Sequence, residues 1–85
     1  MKVYLRWTKS SRCAFPFVFD VSEDTTVSQI CNMVMQENNS NDNNPTFSIV
    51  KLRDNNNIFV NDSQVISSFP PFYGAYYFDF DAEII

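Results

Sequence analysis

From Lys2 to Trp7 the side chains alternate, with Val3, Leu5 and Trp7 on one face and Lys2, Tyr4 and Arg6 on the other. A period of two over such a run predicts a half-buried strand. Thr8 to Arg12 are polar and predict a hairpin connection. A second strand is expected from Phe15 to Val21, with Phe17, Phe19 and Val21 inward and Val18 and Asp20 outward. Pro16 has no N–H to give to a ladder, which puts this strand at a sheet edge.

The period then changes. Val27, Ile30 and Val34 recur at spacings of three and four, Cys31 and Met35 widen the stripe, and an amphipathic helix is predicted. Thr26 and Gln29 stand at capping-box spacing, with Thr26 as N-cap. Asp24 just ahead suits the positive end of the helix dipole. The helix should stop near Glu37 or Asn38. The run 38–45 is a polar low-complexity loop, expected to bury nothing and to be mobile. Phe47 to Arg53 predict a third strand, 54–57 a turn of Asp and Asn, and Ile58 to Val60 a short strand. Gln64 to Phe69 predict a short helical crossing before Pro70-Pro71. Gly74 marks a turn into a last strand, Ala75 to Asp81, in which Phe78 and Phe80 alternate with Tyr77, Asp79 and Asp81. The pattern is β-β-α-β-β-β: an α+β domain with a mixed four- to five-stranded sheet and one helix across it. It occupies residues 1–85 as a single domain, and it is expected to be the N-terminal module of a larger protein.

Composition supplies the core. Nine Phe, four Tyr and one Trp at roughly 1.5–3 kcal/mol per buried large apolar side chain can support a fold of this size without staples. Two cysteines, Cys13 and Cys31, make no disulfide framework and are expected to be reduced thiols. There is no histidine, which excludes His-based metal sites and Ser-His or Cys-His catalysis. No glycine-rich phosphate loop is present, and neither cysteine has a plausible base beside it. An enzyme is therefore not expected, and no cofactor or metal is implied. The start is too short and polar for a signal peptide, and no apolar run is long enough to span a bilayer; a cytoplasmic protein is expected.

The net charge is −4, unevenly spread. Lys2, Arg6, Lys9 and Arg12 lie in the first twelve residues, which hold no acid; the rest of the chain sets Lys51 and Arg53 against all ten acids. A basic corner on an acidic body predicts oriented contact with an anionic partner rather than nucleic acid.

Two stretches carry a resemblance. Met1-Lys2-Val3-Tyr4-Leu5-Arg6 is similar, class by class, to the opening of ubiquitin. Phe17 to Ile30 run ungapped against that family's second strand and helix start, with Thr26 on its capping threonine. The resemblance extends end to end and implies a ubiquitin-like β-grasp. It implies a core of Val3, Leu5, Phe17, Phe19, Val21, Val27, Ile30, Val34, Leu52, Phe59, Ile66, Phe72, Phe78 and Phe80. Two features depart from ubiquitin itself. Glu83-Ile84-Ile85 is not a Gly-Gly tail, so conjugation to targets is not expected. Lys51, Arg53 and Asp79 stand where ubiquitin carries its apolar recognition patch.

In this fold the outward residues Lys2, Tyr4, Arg6, Lys51 and Arg53 share the open sheet face with Tyr77, Asp79 and Asp81. Cross-strand pairing of opposite charges is the simplest use of Lys51, Arg53, Asp79 and Asp81. Ras-association and other GTPase-binding β-grasp domains are similar in using basic first-hairpin residues against an acidic GTPase switch. By that resemblance Arg6, Lys9 and Arg12, with Lys2, Lys51 and Arg53 around them, would bind a small Ras- or Rho-family GTPase. The asparagine runs and the fold also resemble the N-terminal GTPase-binding domain of social-amoeba (Dictyostelium-type) formins, which implies regulation of actin assembly. An alternative is weak binding of phosphoinositides or other anionic phospholipids through Trp7, Lys9 and Arg12, which would recruit the chain to a membrane or the cortical cytoskeleton. A further alternative is an autoinhibitory or dimerising module.

Overall fold

The computed structural model describes residues 1–8 and 15–85. The predicted hairpin residues Lys9 and Arg12, and Cys13, lie outside the described residues. The elements are β1 (Lys2–Trp7), β2 (Phe17–Asp20), α1 (Val27–Asn39), β3 (Phe47–Arg53), a 3-10 turn (Ile66–Ser68) and β4 (Tyr76–Ile84). They form a four-stranded sheet in the order β2-β1-β4-β3. β1 and β4 run parallel at the centre, and β2 and β3 flank them antiparallel. One helix packs across the sheet, the arrangement of a ubiquitin-like β-grasp.

The core follows the alternation. Val3, Leu5, Val27, Ile30, Val34, Leu52 and Ile66 are fully buried, and Phe80 nearly so. Phe17, Phe19 and Val21 are half-buried and packed against this cluster. The helix starts where its cap directs: Thr26 Oγ1 accepts from the Gln29 N–H at 3.2 Å, and the Thr26 N–H donates to Gln29 Oε1 at 2.9 Å. The first helical N–H groups have no partner within a helix. Here the crossing segment supplies them, the Val27 N–H donating to the Gln64 carbonyl and the Ser28 N–H to that of Asp62.

Several expectations are corrected. β2 is shorter than 15–21, and β4 runs to Ile84, well past Asp81, burying Ala82 in the core. Ile58 to Val60 do not form a fifth strand; a single bridge joins Arg53 and Phe59. Phe59 and Phe72 are therefore not core but 51% and 61% exposed. Phe47 and Val50 take core places instead, because β3 carries a register shift between Phe47 and Ile49 that lets both point inward, and Cys31 joins them from the apolar stripe of α1.

The helix also runs one residue beyond Asn38, and Asn38, expected in a loop that buries nothing, is buried. Its Nδ2 donates to the Pro45 carbonyl at 2.7 Å. Asn39 clamps Phe47 from both sides, its Nδ2 donating to the Phe47 carbonyl and its Oδ1 accepting from the Phe47 N–H. Two amides thus close the loop that the composition alone left untethered.

Candidate functional site

The face of the sheet away from the helix is open, and two kinds of side chain cover it. The first is aromatic. Tyr4 on β1 and Tyr77 on β4 lie in register and stack at 4.9 Å between ring centroids. Phe15 meets both edge-on, at 6.1 Å from Tyr4 and 5.5 Å from Tyr77. Phe72 stands edge-on to Tyr77 at 5.9 Å, and Tyr73 edge-on to Phe72 at 4.5 Å. The rings make one continuous strip, and Phe72 and Tyr73 at its end are 61% and 92% exposed.

Backbone geometry fixes that end. Phe72 and Ala75 exchange both backbone hydrogen bonds, 2.7 and 3.1 Å, around Tyr73-Gly74. Tyr73 and Gly74 have φ of +49° and +77°. Positive φ at both central residues is the geometry of a type I′ turn, which favours Asn or Gly. A bulky residue there is unusual; the turn holds the Tyr73 ring outward at a steric cost.

The second kind is charged, and its arginines are paired within the sheet. Arg6 Nε donates to Asp79 Oδ1 at 3.1 Å, with Arg6 lying 5.5 Å from the Phe15 ring centroid. Arg53 Nε donates to Asp81 Oδ2 at 2.7 Å, its Nη1 to the Asn57 carbonyl at 2.9 Å, and its guanidinium lies 3.8 Å over the Phe59 ring. The Thr8 hydroxyl donates to Asp81. Lys2 and the Met1 ammonium share Asp20. Half-exposed ion pairs of this kind contribute about 0.2–1 kcal/mol each, enough to orient the side chains.

The structure thus brings Arg6, Lys51 and Arg53 onto one face, with Lys2 at its edge. Arg6, Arg53 and Lys2 are engaged by acids, whereas Lys51 is exposed and forms no ion pair among the described residues. Between the aromatic strip and the 54–57 turn runs a cleft of about 330 Å³, lined by Asp54, Asn55, Phe69, Pro70, Tyr76 and Tyr77. It adjoins a smaller hollow of about 180 Å³ bordered by Arg6, Phe15 and Asp79. Asp54 Oδ1 accepts from the N–H groups of Asn56 and Ile58, so the Asn-rich wall is folded by its own side chain.

Trp7 is turned inward, its indole stacked 6.3 Å from Phe80 and edge-on to Phe47 at 5.5 Å. The ring is half-buried and packs against the core. Cys31 is buried between helix and sheet, and burial pushes its thiol up to about 11. A thiol held protonated is a poor nucleophile. Among the described residues no group of three or more acids or thiols is placed to hold a metal ion.

Sequence reasoning located the open face and its charges but missed the aromatic strip. Phe72 was expected in the core, and Tyr4 and Tyr77 were expected on the open face only as members of a charged patch. The available signal was that Tyr4 and Tyr77 share the outward phase of two adjacent strands, and that Tyr73-Gly74 fits a two-residue turn. No family model matches the chain, and no curated protein matches it.

Proposed function

We propose that the domain is a non-catalytic protein-interaction module that receives a small GTPase of the Ras or Rho type on its open sheet face and regulates a larger, formin-like actin-assembly protein. The observation that carries the interaction reading is the continuous strip of rings ending in the exposed Phe72 and Tyr73. Aromatic side chains are enriched at the buried centres of protein interfaces, and charged ones are depleted there. A face whose arginines are already paired, with rings beside them, has that character. The GTPase as partner rests on the likeness to Ras-association domains and on the cations Arg6, Lys9 and Arg12, with Lys2, Lys51 and Arg53 nearby. Recruitment to the cell cortex would follow from such a partner.

Binding to anionic lipid is the weaker reading. Trp7 is committed to Phe47 and Phe80, which leaves Lys9 and Arg12 at about 1 kcal/mol each on a chain of net charge −4. Docking onto downstream parts of the same protein would use the same open face.

Calorimetric titration with GTP- and GDP-loaded Ras- and Rho-type GTPases, beside sedimentation with phosphoinositide vesicles, separates these readings. The expected result is binding to a GTP-loaded GTPase that weakens about tenfold when Lys9 and Arg12 are both changed to Glu, with the melting temperature unchanged. Binding to vesicles alone, or to no GTPase in either nucleotide state, would overturn the GTPase reading.

A further inference from the structure

Among the described residues, Lys51 on the open face stands without an ion pair beside exposed apolar surface. Asp81, directly across from Lys51 in the β3–β4 register, is taken by the Arg53 guanidinium at 2.7 Å and by the Thr8 hydroxyl. Lys51 is exposed and forms no ion pair among the described residues, and residues 9–14 contain no carboxylate that could supply one. Lys51 borders a hollow of about 350 Å³ whose other walls are Ile49, Phe59, Asp81, Ala82 and Glu83. Ile49 is 45% exposed there and Phe59 51%. The hollow is preformed, because the Arg53 guanidinium over the Phe59 ring and the Arg53–Phe59 bridge hold that ring against the sheet.

Resting on the interaction reading above, we propose that this hollow docks an acidic-apolar segment of the protein partner. The apolar side chain enters between Ile49 and Phe59, and the neighbouring carboxylate meets the Lys51 ammonium. The physical demand comes from Lys51. A partner that covers the hollow removes water from that ammonium, and burying it without a counter-charge is costly; the partner therefore brings an anion. Asp81 already accepts from Arg53 and from Thr8 among the described residues, so its charge is shared before Lys51 draws on it. Glu83 sits on the far wall, opposite Ile49. It repels the same carboxylate and thereby fixes its position at the Lys51 end.

Selection of displayed random peptides on the immobilised domain tests this. Enriched peptides are then measured by fluorescence anisotropy against wild type, Lys51→Glu, Glu83→Lys and Ile49→Thr; the last keeps a β-branched side chain suited to a strand. The expected consensus is an apolar residue next to Asp or Glu. Affinity should fall about tenfold in Lys51→Glu, fall in Ile49→Thr and rise in Glu83→Lys, with melting temperatures confirming that the variants fold. No enrichment, a basic consensus, or equal affinity for wild type and Lys51→Glu would overturn the proposal. Amide shifts confined to the Tyr4–Tyr77–Phe72 strip would overturn it while leaving the open-face reading intact. Shifts confined to the outer face of the helix would overturn both.

Discussion

Arg53 is held by the Asp81 carboxylate, the Asn57 carbonyl and the Phe59 ring. These contacts make it a clamp that fastens the 54–59 segment to the sheet rather than a freely presented charge. Its residue type and outward phase were plain in the sequence; its partners were not, because Phe59 reaches it only through a turn. Asp20 shows the same local logic. Its carboxyl is held below the usual 3.8, first by the hydrogen bond from the Met1 ammonium and then by the Lys2 charge. A lowered carboxyl pKa stabilises the fold above the unfolded value, and that stabilisation is lost as pH falls through the lower folded value. Asp20→Asn should therefore flatten the acid limb of a urea-midpoint curve below about pH 4, against a wild type that loses stability there. Identical slopes would show that the pair contributes nothing. Tyr73 pays for its display in backbone conformation. Tyr73→Asn should raise stability by on the order of 1 kcal/mol while weakening partner binding; a destabilised Asn variant would show that the ring is structural.

At the level of elements, what was readable was what is local. The capping box at Thr26 and Gln29, the period of α1 and the alternation in β1 are short-range patterns, and all three appear as read. Readings failed where distant contacts decide. The shift within β3 let Phe47 and Val50 both point inward, and Phe59 lost its core role because 58–60 pair with the sheet only at one bridge. Asparagine composition suggested an untethered loop, yet Asn38 and Asn39 find carbonyl and N–H partners that no local pattern announces. A pair of substitutions separates core from surface. Phe80→Ala should cost about 3–5 kcal/mol, since its ring is 1% exposed and meets Trp7, Phe17 and Phe47. Phe72→Ala, with a ring 61% exposed, should cost less than about 1 kcal/mol. Comparable losses in chemical denaturation would contradict the burial described here.

For the whole molecule, the element order alone carried the architecture. One hairpin, one helix and a final strand returning beside the first leave a sheet with one face under the helix and one face open. The open face and the charges on its strands were legible from the alternation of β1, β3 and β4. Its aromatic half was not, because Phe15, Phe72 and Tyr73 come from outside the strands and reach it only through the fold. The paired ladder of Arg6, Asp79, Arg53 and Asp81 then acts as a scaffold between the ring strip on one side and the Lys51 hollow on the other. The central claim is that partners meet this face. An NMR titration of the isotopically labelled domain with a GTP-loaded Ras- or Rho-type GTPase tests it most directly. The expected shifts fall on Tyr4, Lys51, Phe72, Tyr73 and Tyr77, whereas shifts on Ser28, Asn32 and Gln36 of the helix, with the sheet face unmoved, would contradict it.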